Sequence, residues 1–471
     1  MARSTFELAG REFPAVTWYT DPGLRRTYIC LFMVILTSAT NGYDGSMMNG
    51  LQTLPYWQNY FNNPTGSELG LLNCIMSVGS LAALPAVPYA ADILGRRTGI
   101  LIGCLIMILG VVLQSVSVNI SMFIAARFFI GFGVAIAHGS SPLLITELVH
   151  PQHRAIFTSI YNTMWYLGAI IAAWLTFGTL QIKSNWAWRI PSIVQAAPSL
   201  VQLAFIYFVP ESPRWLIAHG KEEKAHQVIA KAHANGDMND EVVVLEMQEI
   251  ADTLKLEKEF EGGSWLELVR TKGNRHRMLI CVAAGFFSQW SGNGLVSYYL
   301  HVVLDQIGYT DPTTQDVING VLSIWNGIVA CTMCFFVDKL GRRPLFLFST
   351  AGMVFSFTAL TICAARYNIA GTKGAANGVV GFIYIFYTFY NIAWSGLLVG
   401  YTVEILPYNI RAKGMTIVWL AVDIALFFNQ YVNPIALKNI TWKYYIFYCV
   451  WLVFELIVVY IFFVSPILDC P

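Results

Sequence analysis

The sequence predicts an all-α membrane protein in which twelve transmembrane helices form two pseudo-symmetric six-helix bundles. The first observation is composition: 56% of the residues are hydrophobic and 12% are charged, whereas a soluble domain carries about 25% charged residues. The mean hydropathy of +0.55 agrees with this. The second observation is that the apolar residues form long segments. The third is a pair of charged motifs that occurs once in each half of the chain.

The apolar segments fall into two groups of six, and with the polar stretches around them they predict five parts of the chain. A membrane-spanning helix needs about 20 mostly apolar residues, and twelve segments meet this length, at about 28–50, 69–91, 99–117, 121–143, 156–180, 190–209, 278–301, 317–337, 344–365, 378–403, 414–434 and 444–464. Helical patterns around 221–234 and 241–260 lie in a polar stretch between the sixth and seventh segments. We expect a cytoplasmic N-terminal segment, a first bundle, cytoplasmic linker helices, a second bundle and a short cytoplasmic tail, at 1–27, 28–209, 210–277, 278–464 and 465–471.

Charge and cysteine usage exclude several classes of function. A net charge of +1 gives no basic footprint for nucleic acid. The nine cysteines lie mostly in apolar runs, which is typical of small buried side chains rather than of disulfides or metal ligands. The sequence has no evident nucleophile–base set, phosphate loop or metal cluster, so we expect neither an enzyme nor a metal site.

Lysine and arginine predict the orientation in the membrane. Most of them fall in the N-terminal segment, the linker and the loops on the same side, so both termini are expected in the cytoplasm. No cleavable signal peptide is evident, and the first apolar segment is expected to direct insertion into the plasma membrane. Glycosylation sequences occur at Asn119 and Asn439, in short loops on the outer side.

The two halves repeat the same charged motifs. Asp92-Ile-Leu-Gly-Arg-Arg follows the second segment and Asp338-Lys-Leu-Gly-Arg-Arg follows the eighth. A glutamate and an arginine seven residues apart follow the fourth and the tenth segments, as Glu147 with Arg154 and as Glu404 with Arg411. Arginines in such loops reach carboxylates and helix C-termini of neighbouring spans, although they are also typical of a simple topology signal. We expect a cytoplasmic gate formed by Asp92, Arg96, Arg97, Glu147, Arg154, Glu211, Arg214, Asp338, Arg342, Arg343, Glu404 and Arg411.

These motifs, with Pro210-Glu-Ser-Pro-Arg214 after the sixth segment, resemble those of the sugar porters of the major facilitator superfamily. Asn41-Gly-Tyr-Asp44-Gly and Gln289-Trp-Ser-Gly-Asn293-Gly are similar to the fungal lactose permease and cellodextrin transporter branch. The resemblance implies the major facilitator fold, with two bundles that rock about a central site. It also implies proton-coupled uptake of a sugar, either a disaccharide such as lactose or cellobiose or a hexose.

The resemblance implies a sugar site made of amides and aromatic rings, because a neutral sugar needs groups that both donate and accept hydrogen bonds. Gln289 and Asn326 stand at the family's sugar-binding positions, and Asn162 occupies the position of a family glutamine. Ser288 and Gly294 replace a family glutamine and asparagine. The candidate substrate-binding residues are Asn162, Gln289, Asn293, Tyr298, Asn326 and Trp394.

Two ionisable residues are candidates for proton coupling. Ionisable groups within spans are costly and usually functional. The resemblance assigns Asp44 as the proton-carrying carboxylate and Arg127 as its partner, so protons are the expected coupling ion and no other cofactor is expected. An interfacial position of Asp44 and a helix-pairing role of Arg127 are the structural alternatives.

Two alternatives to symport use the same fold. One is a sugar-sensing membrane receptor and the other is a facilitative carrier that needs no protons. The tail 465–471 lacks both a long signalling region and the family's Pro-Glu-Thr-Lys-Gly motif, and the Asp44 and Arg127 pair favours coupling. We therefore expect a monomeric transporter in the lipid bilayer whose partners are a small sugar and protons.

Overall fold

The computed structural model describes residues 5–8, 11–260, 265–334 and 341–463. Almost all of them are helical. The α-helices are Pro22–Leu51, Pro55–Tyr60, Ser67–Ala83, Ala86–Pro88, Arg96–Ser115, Ile120–Leu148, Arg154–Thr179, Trp186–Val194, Ala197–Phe205, Pro213–Ala218, Glu222–His233, Glu241–Phe260, Glu267–Arg270, Lys272–Trp290, Asn293–Gln306, Pro312–Cys334, Arg342–Ala370, Lys373–Ala393, Leu397–Ile405, Tyr408–Ile440 and Tyr444–Phe462. A π-helix covers Tyr89–Ile93, and 3-10 turns cover Pro151–His153, Ile206–Phe208 and Thr441–Lys443.

Eight helical segments among the described residues are long and apolar enough to cross a membrane. The number is nine if Ser67–Ala83 and Ala86–Ile93, which meet at a bend of 59°, form one span. One of the eight, Lys413–Phe462, covers two of the predicted spans. Large apolar side chains such as Ile362 and Val450 are exposed on the outer surfaces of the helices, as expected for a surface in lipid. The chain is therefore a membrane protein, and the count of twelve spans stays a prediction.

Close helix packing positions the first half of the chain. Gly42 on Pro22–Leu51 and Gly168 on Arg154–Thr179 lie against the backbone of the other helix, so a Cβ on either would stand within 2 Å of a carbonyl oxygen. Small residues of this kind let membrane helices approach closely. The contact fixes the register of the helix that carries Asp44 against the helix that carries Asn162.

Two of the predicted spans that are interrupted have their break beside candidate substrate-binding residues. The seventh divides into Lys272–Trp290 and Asn293–Gln306, because Gly292 has a φ of +93°, which is favourable only for glycine. The tenth divides into Lys373–Ala393 and Leu397–Ile405. Each break lies beside candidate substrate-binding residues and frees backbone groups from the helical hydrogen-bond pattern.

The polar linker forms the helices Glu222–His233 and Glu241–Phe260, close to the stretches that the sequence predicts. An antiparallel pair of strands, Thr5–Leu8 and Arg11–Pro14, was not predicted. Arg11 forms an ion pair of 2.8 Å with Glu241, which holds this hairpin on the linker helices. We call this end of the molecule the linker end. The opposite end, where Pro22–Leu51 finishes and Pro312–Cys334 begins, is the far end.

Candidate functional site

The carboxyl group of Asp44 lies inside the first half of the chain. Its side chain is fully buried, and Gln195 Nε2 donates a hydrogen bond of 2.5 Å to Oδ1. Oδ2 has no hydrogen-bond partner among the described residues. Gln114 Nε2 donates at 3.2 Å to Gln195 Oε1 and also at 3.2 Å to Ser192 Oγ. Asp44 therefore ends a row of buried amides.

Arg127 is also buried, at 3% exposure, on the helix Ile120–Leu148. Its Nη2 lies 3.7 Å from Met76 Sδ, and its Nε has no hydrogen-bond partner in the described part of the chain. No ion pair between Arg127 and Asp44 occurs among the described residues. The structure thus brings both predicted residues into the interior but gives Asp44 an amide partner instead of a guanidinium.

A group of polar side chains surrounds the break in the seventh predicted span. Asn293 Nδ2 donates at 3.1 Å to Tyr390 Oη, and Tyr390 Oη donates at 2.8 Å to the Ser288 carbonyl oxygen. Gln289 Nε2 lies 3.3 Å from Ser288 Oγ, and Asn429 Nδ2 donates at 2.7 Å to the Gln289 carbonyl oxygen. Gln289 and Asn293 therefore belong to one hydrogen-bonded group, with further donors on two other helices.

A second polar group joins the two halves of the chain. Tyr166 Oη donates at 2.7 Å to Asn391 Oδ1, and Asn391 Nδ2 donates at 3.1 Å to Asn326 Oδ1. Ser395 Oγ lies 2.5 Å from the same tyrosine hydroxyl. Asn162 stands one turn before Tyr166 on the same helix face and is exposed. Asn326 is therefore connected to the first half through Tyr166.

Trp394 and Tyr298 occupy different surroundings from the other candidates. Trp394 is 1% exposed, its Nε1 donates at 3.1 Å to Thr350 Oγ1, and its ring packs against Phe346 at 4.9 Å between centroids. In this conformation it is a packed core residue at the break of the tenth predicted span. Tyr298 is half-buried, and its carbonyl oxygen accepts a hydrogen bond of 3.1 Å from Gln52 Nε2.

Hydrogen bonds also join the halves at the far end. Asn49 Nδ2 donates at 3.3 Å to Asn319 Oδ1, and Asn49 Oδ1 accepts from the Leu300 amide at 3.1 Å. The Thr53 hydroxyl lies 2.7 Å from Asp316 Oδ1. We call the contact of Asn49 and Thr53 with Leu300, Asp316 and Asn319 the far-end seam. It connects the two halves of the chain on this side.

The first copy of the repeated motif forms a compact ion-pair group at the linker end. Arg96 Nε lies 3.1 Å from Glu147 Oε2, and Arg96 Nη1 lies 3.2 Å from Asp92 Oδ1. Glu211 accepts hydrogen bonds of 3.3 Å from the Arg97 amide and 2.9 Å from the Ser212 amide. Burial raises the pKa of the Glu211 carboxyl, which these amides and the arginines partly offset. Arg214 lies in the short helix Pro213–Ala218 that follows.

The second copy makes the corresponding contact. Arg342 Nη2 lies 2.9 Å from Glu404 Oε1. Arg343 Nη2 donates at 2.9 Å to the Tyr460 carbonyl oxygen, and Arg411 Nε donates at 3.3 Å to the Leu406 carbonyl oxygen. Asp338 lies outside the described residues. The repeated sequence thus produces the same arginine–glutamate pair twice.

Arg154 contacts the linker helices. Its Nη2 lies 2.8 Å from Glu246 Oε1, and His233 Nδ1 lies 2.7 Å from Glu246 Oε2. Burial raises the pKa of Glu246, but the His233 and Arg154 charges outweigh it and hold this pKa below its usual range. We call Arg154, His233 and Glu246 the linker latch. It attaches the linker to the first half of the chain.

The geometry combines buried ionisable groups, polar side chains at helix breaks and a duplicated ion pair. The family model of the sugar (and other) transporters matches residues 30–466, which is most of the chain. The chain belongs to this family. It is accordingly a membrane transport protein and not an enzyme, and its fold is the major facilitator fold.

Two kinds of similarity accompany this transporter's family match. The high-affinity glucose transporter of Kluyveromyces lactis is 26% identical over 447 residues, which cover 91% of this chain and 80% of the relative. A solved structure of the xylose transporter XylE from E. coli, in a partially occluded inward-open conformation, superposes with a TM-score of 0.77 at 21% identity, over 95% of this chain and 100% of that one. A second structure shows XylE, described as a major facilitator superfamily proton:xylose symporter, bound to 6-bromo-6-deoxy-D-glucose. It superposes with a TM-score of 0.75 at 21% identity, over 94% of this chain and 96% of that one.

Three residues of the transporter's candidate sites were missed by sequence reasoning. Gln195 and Tyr166 lie in apolar segments, where a single polar residue is also typical of helix packing. Their spacing to other polar residues was the available signal, since Tyr166 stands four residues after Asn162 on one helix face. Glu246 gave no signal, because it is one of many acidic residues in the linker.

Proposed function

We propose that this transporter carries a sugar into the cell together with protons by alternating access. The observation that carries the proposal is the full burial of the Asp44 carboxyl beside Gln195, with one oxygen unpartnered among the described residues. An ionised carboxylate in such surroundings is unfavourable, whereas a protonated one is tolerated. A group of this kind takes up a proton when enclosed and releases it when water reaches it.

The substrate site is proposed to be the polar region between the broken spans. Gln289, Asn293, Asn326 and Tyr166 supply donors and acceptors in the interior without a charged group among them. This chemistry suits the hydroxyl groups of a neutral sugar. Asn162 extends the same helix face, and Tyr298 and Trp394 are proposed to approach the substrate only in another conformation.

The sugar is proposed to be a hexose or a disaccharide. The name of the Kluyveromyces relative puts glucose first among the substrates to test. The motifs around Asp44 and Gln289 favour the lactose permease and cellodextrin transporter branch, so lactose and cellobiose belong in the same test.

The orientation is proposed from charge. Basic residues are concentrated at the linker end, which places this end, both termini and the gate residues in the cytoplasm, and the far end outside. We propose a monomer in the plasma membrane, surrounded by lipid, whose linker-end ion pairs change partners as the cytoplasmic side opens and closes.

The decisive experiment measures uptake of labelled glucose, lactose and cellobiose in yeast cells that lack their own sugar transporters. Saturable, concentrative uptake of one sugar, abolished by a protonophore, supports symport and identifies the substrate. Saturable uptake that equilibrates and ignores the protonophore identifies a facilitative carrier. Absence of uptake of all three sugars, with surface expression demonstrated, overturns the proposal and favours a sensor.

A further inference from the structure

The far-end seam contains a buried carboxyl group that the motifs of the chain leave without a role. Asp316 is 1% exposed, on the helix Pro312–Cys334, and faces Thr53 of the first half. Asp316, Asn319 and Ser323 are spaced three and four residues apart, so they share one helix face. Asp316 Oδ2 has no hydrogen-bond partner among the described residues.

The distances around Thr53 limit how well an ionised Asp316 can be hydrogen-bonded. The Thr53 hydroxyl oxygen is 2.6 Å from the Gly50 carbonyl oxygen and 2.7 Å from Asp316 Oδ1. A carbonyl oxygen carries no proton, so the contact with Gly50 requires the one proton of the threonine hydroxyl. The same hydroxyl is also the donor toward Asp316 Oδ1, so its one proton is shared between two acceptors unless the carboxyl is itself protonated and donates to the threonine oxygen.

The neighbouring titratable groups do not replace this proton. His301 and Asp305, on the adjacent helix Asn293–Gln306, lie 3.3 Å apart and bind each other. Both also contact Gln315, the residue before Asp316, at 2.6 and 2.7 Å. On Pro22–Leu51 the carboxyl group nearest in sequence to Thr53 is Asp44, more than two turns before it. No ion pair involves Asp316 among the described residues.

We propose that Asp316 is a second proton-binding site, which takes a proton from water on the far side when the seam closes and returns it there when the seam opens. A carboxylate at this place would receive only a share of the Thr53 hydroxyl proton, and its Oδ2 has no hydrogen-bond partner among the described residues, so ionisation opposes closure. The proton serves the gate and is not carried across the membrane. This inference rests on alternating access by the proposed transporter and adds to it a response to pH on the far side.

The test measures how fast water reaches the seam from outside. Ser323 is 9% exposed, and its hydroxyl donates to the Asn319 carbonyl oxygen one turn earlier on its own helix. Ser323→Cys therefore places a thiol directly beside the seam with little disturbance. Intact yeast cells that express the full chain are labelled with a membrane-impermeant maleimide at external pH values from about 5 to 8. The same chain with Asp316→Asn added provides the reference, because asparagine donates to Thr53 as the protonated carboxyl does.

The ratio of the two labelling rates cancels the pH dependence of the thiol itself. We expect the labelling rate of the chain that retains Asp316, divided by the rate of the Asp316→Asn chain, to rise with pH by up to about tenfold per pH unit. Asp311→Asn is the matched control, since Asp311 is exposed just before the same helix and is expected to leave the ratio unchanged. A ratio that is constant across pH overturns the inference. Labelling requires neither sugar nor Asp44, so a failure of symport and a failure of this inference are distinguishable.

Discussion

Gln195 Nε2 donates a hydrogen bond of 2.5 Å to Oδ1 of Asp44, and neither side chain is exposed. The partner of the Asp44 carboxyl group is therefore a neutral amide. The buried Arg127 instead contacts Met76 Sδ. An amide stabilises a carboxylate less than a guanidinium does. The proposed proton site therefore pairs Asp44 with an amide rather than with a guanidinium.

Asp44→Asn is expected to separate transport from coupling. Asparagine keeps the shape and accepts the hydrogen bond from Gln195, but it cannot release a proton. Uptake should no longer be concentrative or pH-dependent, while exchange of labelled for unlabelled sugar continues. Glu68→Gln, at an acidic residue on another helix of the first half, serves as the control. Concentrative, protonophore-sensitive uptake by Asp44→Asn would contradict the assignment.

Gln195→Leu is expected to shift the pH profile of uptake. A hydrogen bond to a charged group contributes about 1.5–3 kcal/mol, so loss of the donor disfavours the carboxylate form of Asp44. The pH of half-maximal coupled uptake should move about one to two units toward alkaline. Gln202→Leu is the comparison. The Gln202 amide donates to Thr37 Oγ1 and to the Met33 carbonyl oxygen, which lie on Pro22–Leu51, the helix that carries Asp44. An unchanged profile in Gln195→Leu would remove Gln195 from the proton site.

The parts of the molecule that the sequence could predict are those that a repeated motif specifies. Each half of the chain has an arginine-rich loop and, two spans later, a glutamate. This repeat predicted a network of ion pairs, and the structure forms Arg96–Glu147 and Arg342–Glu404. Arg154 differs, because its partner is Glu246 in the linker. That contact depends on where the linker folds back, which periodicity does not specify.

Contacts between distant helices were beyond sequence reasoning for a physical reason. Gln195 meets Asp44, and Tyr166 meets Asn391, only because helix rotation and depth bring them together. A change of one residue in register turns a side chain by about 100° around the helix. The break at Gly292 likewise depends on a left-handed backbone that an apolar pattern does not reveal.

The two repeated ion pairs should differ in their contribution to stability. Arg96 and Glu147 are 9% and 11% exposed, whereas Arg342 and Glu404 are 17% and 36% exposed. Removing one partner of a buried pair costs about 3–5 kcal/mol, whereas an exposed pair contributes about 0–1 kcal/mol. Glu147→Ala should therefore lower the melting temperature in detergent clearly more than Glu404→Ala. If the two substitutions lowered the melting temperature equally, the difference in burial would not determine the contribution of these ion pairs to stability.

Gly292→Ala should impair folding more than a glycine substitution at another positive φ. Both Gly292 and Gly371 have positive φ, at +93° and +62°. A Cβ on Gly292 would lie 2.6 Å from a ring carbon of Phe357, whereas a Cβ on Gly371 meets nothing within 4 Å. Gly371→Ala should cost about 1–2 kcal/mol from backbone strain, and Gly292→Ala more. Fluorescence-detected size-exclusion chromatography after heating measures how much folded protein remains for each variant. Equal losses of folded protein would mean that the Phe357 ring moves aside at little cost.

The linker latch should be most stable slightly below neutral pH. Burial lowers the pKa of His233, but the Glu246 charge and hydrogen bonds to Glu246 and Leu148 raise it more, and the net shift is upward. Its contribution is full below the unfolded pKa of about 6.5 and is lost as pH rises through the folded value. His150 lies beside the latch, with its ring 5.1 Å from the His233 ring between centroids. Burial and the nearby His233 lower the pKa of His150 to about 4, so the contribution of the neutral His150 ring is lost as pH falls from about 6.5 toward that value.

Hydrogen exchange of the helices Glu222–His233 and Glu241–Phe260 measures this latch directly. After correction for the intrinsic exchange rate, protection should pass through a maximum near pH 6.5 and decline on both sides. His233→Gln should remove the decline on the alkaline side, because glutamine keeps a hydrogen bond to Glu246 but does not titrate. Protection that rises steadily with pH in the unaltered chain would mean that Arg154 alone holds Glu246, since arginine stays charged throughout this range.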